Sequence, residues 1–190
     1  NIAFPYREIR CGQRDFINDA FRAAKSSSRL LVCAPTGIGK TVSALYPALR
    51  ALGNGYIDKV FYLTAKTVTG NAAAECCRAI SMQAQSLRCV TVMAKERTCP
   101  MAPGAGAGSM KLSRRCRECP LMGEIDGVPY GERRDEALLE LINNGGRVID
   151  PAMLKSAASA YRLCPYELSL DVSEYCECII CDYNYVFDPS

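Results

Sequence analysis

The sequence predicts an α/β fold, a parallel sheet with helices on both faces that carries a small, mostly helical insertion. Three observations predict it. Strand-like and helix-like patterns alternate along the first half of the chain. A glycine-rich loop, Ala34-Pro35-Thr36-Gly37-Ile38-Gly39-Lys40-Thr41, joins the first of these strands to a helix. The alternation then gives way to a stretch rich in proline, glycine and cysteine before an apolar strand resumes at Cys178-Ile179-Ile180-Cys181.

The elements follow in order. Phe16, Ile17, Ala20, Phe21 and Ala24 recur at helical spacing and predict an amphipathic helix over roughly 13–25. Arg29 to Ala34 is a short apolar run of the kind that forms a buried parallel strand. Thr41 to about Leu52 predicts the next helix, closed by Gly53, with Pro47 predicting a kink or an early stop. Lys59 to Thr64 is a second strand, an alanine-rich helix covers about 70–85, and Arg88 to Met93 is a third strand. Strand–helix–strand order implies parallel pairing with covering helices. Pro103 to Gly108 reads as a flexible loop, and Arg133 to Ile142 as a helix stopped at Asn143-Asn144-Gly145-Gly146. Asp150 caps a further helix that begins at Pro151 and runs to about Tyr161.

The chain has 190 residues, 49% of them hydrophobic and 23% charged, which suits one globular core with a small satellite. A net charge of +3 is too weak to argue nucleic-acid binding by itself. No apolar run reaches the length of a membrane span, and Asn1-Ile2-Ala3-Phe4-Pro5 does not read as a signal peptide. Twelve cysteines among helix and strand patterns imply a reducing compartment, cytoplasmic or nuclear. Histidine is absent, so any metal site relies on cysteine.

The glycine loop matches G-x-x-x-x-G-K-[ST] except for Ala34 at the first position. Gly37 and Gly39 let backbone N–H groups close round phosphate oxygens, and the following helix turns its positive end to the same anion. Lys40 then reaches the terminal phosphates and Thr41 the magnesium ion of a bound nucleotide. The loop does not by itself separate a helicase from a kinase, a GTPase or a transporter ATPase.

Cys116-Arg117-Glu118-Cys119 is a C-x-x-C pair, and Cys99, Cys119 and Cys164 are each followed by proline. That shared step selects Cys99, Cys116, Cys119 and Cys164 as one ligand set, which suits a [4Fe–4S] cluster or an all-cysteine zinc site. Cys176, Cys178 and Cys181 are a rival set, but they sit in an apolar strand whose alternate side chains face opposite ways, so they predict core packing. Cys11, Cys33, Cys76, Cys77 and Cys89 also read as structural. Lys95, Arg97, Lys111, Arg114, Arg115 and Arg117 against Glu118 form a local basic patch, with Tyr130 and Tyr161 as stacking partners.

These motifs together resemble the iron–sulfur DNA helicases of superfamily 2, the XPD/DinG family, over nearly the whole chain. Phe4-Pro5-Tyr6, Arg10 and Gly12-Gln13 resemble the segment upstream of the phosphate loop, near the nucleotide base. Residues 34–41 are similar to helicase motif I, where alanine at the first position is usual. Tyr62-Leu63-Thr64-Ala65-Lys66-Thr67 resembles the DNA-contacting motif Ia, and Asp182 to Pro189 the segment shortly before motif II.

The resemblance implies a RecA-like motor domain, residues 1–94 and 171–190, carrying an inserted iron–sulfur domain, residues 95–170. It implies ATP, Mg2+ and a [4Fe–4S] cluster as cofactors, with Tyr6, Arg10, Gln13, Pro35, Thr36, Gly37, Ile38, Gly39, Lys40 and Thr41 at the nucleotide. It implies single-stranded or forked DNA as partner, contacted by Thr64, Lys66, Thr67, Lys95 and Arg97, with 5′-to-3′ unwinding. Tyr183 follows Asp182 where a magnesium-binding Asp-Glu pair would continue, so Asp182 takes no such role. The sequence ends before an Asp-Glu-Ala-His motif, which leads to the expectation of a fragment that works with the remaining helicase domains and hydrolyses ATP poorly alone. Two other readings stand beside it: a non-enzymatic DNA-binding or redox-sensing module, and a P-loop protein with a structural zinc site.

Overall fold

The computed structural model describes residues 2–83, 87–92, 94–100, 116, 119–144 and 146–187, without the side chains of Thr67 and Glu96. In chain order the elements are α1 (Gln13–Lys25), α2 (Lys40–Gly53), β1 (Val60–Leu63), α3 (Thr67–Ser81), β2 (Cys89–Thr91) and α4 (Lys95–Thr98). A 3-10 turn follows at Pro120–Met122, then α5 (Tyr130–Asn144), β3 (Val148–Ile149), α6 (Pro151–Ala160), α7 (Pro165–Glu174), β4 (Cys178–Cys181) and α8 (Asn184–Phe187). Among the described residues no helix is long and apolar enough to cross a membrane.

The strands form one parallel sheet in the order β1-β4-β2-β3. Alternation along each strand divides the core into two layers. Val60, Cys89, Val148, Cys178 and Ile180 face α1, α2 and α3, where Leu45, Leu49, Cys77 and Ile80 are buried. Val90, Ile149, Ile179 and Cys181 face α5, α6 and α7, packing on Leu138, Leu141, Leu154, Leu168 and Val172. Helices therefore cover both faces of a parallel sheet, as the alternation of patterns predicts. Val148–Ile149, inside the stretch expected as an insertion, pairs with β2 and so belongs to this sheet.

Several expectations hold at the level of single residues. Asp150 Oδ1 accepts hydrogen bonds from the N–H groups of Ala152 (3.0 Å) and Met153 (3.1 Å), with Pro151 in the first turn of α6. Cys176, Cys178 and Cys181 are all buried, with Cys178 in one layer and Cys181 in the other.

Other expectations need correction. Residues 29–34 form no strand, because no strand of the sheet lies beside them to supply ladder hydrogen bonds; Leu31 is 99% exposed. Pro47 does not stop α2, which runs on to Gly53; buried packing outweighs the one hydrogen bond that proline cannot donate. Cys11 and Cys33 are exposed and are not core residues. Helix α7 is an element the sequence reading missed. Met93, the 103–108 loop, Gly145 and the basic residues Lys111, Arg114, Arg115 and Arg117, with Glu118, lie outside the described residues.

Candidate functional site

Three clusters of expected residues take shape on this frame. The first surrounds the glycine loop. Gly37 and Gly39 have φ of +88° and +86°, a left-handed backbone that L side chains rarely adopt, and Gly39 caps the N-terminus of α2. A Cβ on Gly39 would lie 2.4 Å from Gln13 Nε2. Lys40 opens α2 and folds its side chain back over the loop, donating to the carbonyls of Ala34 (3.0 Å) and Pro35 (2.9 Å). Arg10 Nη1 donates to the Gly37 carbonyl at 2.8 Å, and its N–H donates to Oε1 of the buried Gln13 at 2.7 Å. The segment before α1 is thereby tied to the loop.

Tyr6, Arg10, Gln13, Gly39 and Thr41 line one open cavity of about 570 Å³ with Phe4, Val42 and Cys76. Burial, with the neighbouring Cys76, raises the Tyr6 phenol above its ordinary value. Burial, with Cys77, pushes the Cys76 thiol up to about 12, so it stays protonated at neutral pH. Pro35, Thr36, Gly37, Ile38 and Lys40 belong to the adjoining loop. The fold thus gathers the expected upstream residues and the loop at one end of α2.

The second cluster lies at the far ends of the strands. Thr64 Oγ1 accepts from Lys66 N (3.2 Å) and donates to Lys66 O (3.3 Å), closing a tight turn between β1 and α3. Thr64, Lys66 and Arg97 line a groove of about 130 Å³ together with Asn71, Thr91 and Asp182. This is the carboxyl edge of a parallel sheet, where ligands of such folds bind. Thr67 opens α3, and its side chain lies outside the description.

Lys95 is not among the residues that line this groove. Its ammonium donates to Glu167 at 2.8 Å and stands 4.7 Å over the Tyr166 ring, with a side chain 21% exposed. Burial alone would lower its pKa; hydrogen bonds to Glu167 and Cys116 outweigh this and hold it above its ordinary value. Tyr130 and Tyr161 are likewise engaged elsewhere. Tyr130 is half-buried beside Arg133, its phenol pushed up to about 12 by desolvation and then by Asp171, while the Tyr161 hydroxyl donates to Glu140 at 2.8 Å.

The third cluster joins Cys99, Cys116, Cys119 and Cys164 around one cavity of about 40 Å³, with Lys95, Leu121, Met122 and Glu167 as neighbours. The thiols come from the end of α4, the C-x-x-C turn and the start of α7. Burial raises the Cys164 thiol, and the N–H groups of Tyr166 and Glu167 at the start of α7 oppose that rise. No three of these four sulfurs lie within 4.8 Å of one another, since among the described residues the one group that close is Cys77, Cys89 and Cys178. A single tetrahedral ion with metal–sulfur bonds of about 2.3 Å holds its sulfurs about 3.8 Å apart. Among the described residues the four cavity sulfurs do not form a set that compact.

Sequence reasoning missed Arg133. Its guanidinium is buried and donates to the carbonyls of Leu121 (3.3 Å), Gly123 (2.6 Å), Val128 (3.4 Å), Tyr161 (3.1 Å) and Arg162. One side chain therefore ties the loop after Cys119 to the turn before Cys164. An arginine in a helix with an otherwise amphipathic pattern looks like a solvated charge, and nothing local marks it as an anchor.

The family model DEAD_2 matches residues 64–190. No curated protein matches the chain. Among solved structures, one titled "XPD_Helicase" superposes with a TM-score of 0.64 at 19% identity, over 97% of this chain and 29% of that one. Another, titled "Truncated XPD", superposes with a TM-score of 0.57 at 17% identity, over 91% of this chain and 45% of that one. The chain thus spans less than half the length of either relative.

Proposed function

The chain belongs to the DEAD_2 family of XPD-like helicases, and on that premise we propose that it is the nucleotide-binding and iron–sulfur part of an ATP-dependent DNA helicase. The observation that carries this reading is the pairing of two sites in one fold. A glycine loop capping α2 opens on a cavity lined by Tyr6, Arg10, Gln13 and Thr41, and four cysteines from separate segments surround a second cavity.

In this reading the backbone N–H groups of the loop and the start of α2 hold the nucleotide phosphates. Lys40 exchanges its contacts with the Ala34 and Pro35 carbonyls for the terminal phosphates, and Thr41 supplies a hydroxyl to Mg2+. Tyr6, Arg10 and Gln13 flank the base. Thr64, Lys66 and Arg97 hold the backbone of single-stranded or forked DNA in the groove at the strand ends, a contact that weakens as salt rises. Polarity of 5′ to 3′ rests on the family resemblance.

Cys99, Cys116, Cys119 and Cys164 would hold the [4Fe–4S] cluster, which four cysteines lining one cavity suit. When bound, the cluster supplies a covalent cross-link among three chain segments. Lys95, paired with Glu167 beside Cys116, compensates the negative charge that four thiolates bring and is better suited to that task than to DNA. Residues 95–170 act as the inserted domain on a motor of 1–94 and 171–190, joined to it both by Val148–Ile149 in the sheet and by α5, α6 and α7 packed on one of its faces. Hydrolysis coupled to unwinding requires the remaining helicase domains.

Anaerobic purification tests the reading. We expect a brown protein with a broad visible band that bleaches on reduction, and about four iron and four sulfide per chain. Lys40→Ala should abolish binding of a fluorescent ATP analogue while leaving the iron content unchanged. Stoichiometric zinc without iron would remove the cluster from the proposal, and nucleotide binding indifferent to Lys40→Ala would remove the motor.

A further inference from the structure

We propose that Cys77, Cys89 and Cys178 form a second, buried metal site, separate from the four-cysteine cavity, that takes a soft thiophilic cation of the cuprous copper class. Their sulfurs all lie within 4.8 Å of one another, and each residue is 0% exposed. The convergence follows from the fold. Cys89 on β2 and Cys178 on β4 are register partners in neighbouring parallel strands, so their side chains emerge side by side on one face. Cys77 meets them from α3, which packs on that face, with its sulfur 3.8 Å from that of Cys178.

The spacing suits an ion. Three sulfurs at about 2.3 Å from a central cation, in trigonal geometry, stand about 4.0 Å apart. The donor set then selects which ion. It holds thiols alone, with neither histidine in the chain nor a carboxylate in the group. Its burial leaves no open position for water, whereas zinc takes four ligands. Cuprous copper prefers soft sulfur donors, and as a d10 ion it accepts three of them.

The charge also balances. One Cu+ entering with loss of two thiol protons to solvent leaves a net charge of −1, and the third sulfur donates a lone pair without ionising. Occupancy would fasten α3 to β2 and β4. Helix α3 contributes Ala72 and Cys76 to the nucleotide cavity and Gly70 and Asn71 to the groove, so the ion would stiffen the element between them.

The test is an anaerobic competition for Cu(I) against a chromophoric chelator, with folding followed by circular dichroism. Cys99→Ser/Cys119→Ser disables the cavity, and Cys89→Ala/Cys178→Ala disables the triad. We expect the cavity variant to retain one tightly held Cu(I) per chain and the folded triad variant to lose that equivalent, with an affinity at least about 100-fold weaker at this site. Equal copper uptake by the folded triad variant, or no copper retained by the cavity variant, overturns the proposal. Should the triad variant fail to fold, copper X-ray absorption of the cavity variant decides: three sulfurs at about 2.3 Å support the site, and a shell of nitrogen or oxygen overturns it.

Discussion

At Gly39 the nucleotide loop has no room for a side chain. Its φ of +86° is strained for any L residue, and a Cβ would press on the buried amide of Gln13 at 2.4 Å. Gly37 has a similar φ of +88° but nothing within 4 Å of a Cβ. The pair therefore separates backbone strain from steric conflict. Gly37→Ala carries the strain alone, about 1 kcal/mol. Gly39→Ala adds displacement of Gln13, which also holds the Arg10 N–H, and so loosens the cavity wall as well as the loop. Titration of the two variants with a fluorescent ATP analogue should show a loss of about tenfold or more for Gly39→Ala and a clearly smaller loss for Gly37→Ala. Equal losses would mean that the contact with Gln13 has no part in binding.

Among the elements, α5 has the most concentrated task, because Arg133 bridges the segment after Cys119 and the turn before Cys164 through several carbonyls at once, beside the Arg162–Asp126 ion pair. Arg133→Met keeps most of the volume and leaves several carbonyls without a donor, at about 1–3 kcal/mol for a buried group left unsatisfied. The expected result is a lower melting temperature and a larger fractional loss of iron than Lys40→Ala produces, read by denaturation and by metal analysis of the same preparation. Unchanged iron content would show that the cysteine cavity stands without this anchor.

How much of this was legible in the sequence depends on the range over which each signal acts. The glycine loop and the C-x-x-C pair are compact motifs, and Asp150-Pro151 announces a helix start within two residues. Cys99 and Cys164 are farther apart, yet each carries a following proline that marks it. Helix α7 was hidden by that mark, since Pro165 reads as part of a ligand turn and is also the first residue of the helix. The sulfur triad was out of reach altogether. Cys89 and Cys178 become neighbours only through strand register, and no local pattern carries that register. Residues 29–34 mark the opposite limit: their composition favours a strand, but a strand also needs a neighbour.

For the molecule as a whole, the buried thiols set an alkaline limit on stability. Burial pushes Cys76 and Cys176 up to about 12 and Cys181 up to about 11, from an ordinary value of 9.0. Between those values the folded chain holds protons that the unfolded chain has released. The stability these three thiols contribute is therefore fully present below pH 9 and is lost as pH rises toward 12. Melting temperatures measured at pH of about 8 and about 10 should drop between the two, and Cys176→Ala should shallow the drop. A parallel fall in both proteins would assign the alkaline loss to other groups.

The uncovered run Leu30-Leu31-Val32 has a consequence for how the chain behaves in company. These residues are 42%, 99% and 39% exposed, apolar, and free of any proline or internal charge that would blunt them. An exposed apolar segment without a ladder partner can serve as a template for strand addition. In concentrated solution one molecule can satisfy another there, which makes the root of the nucleotide loop a site for self-association.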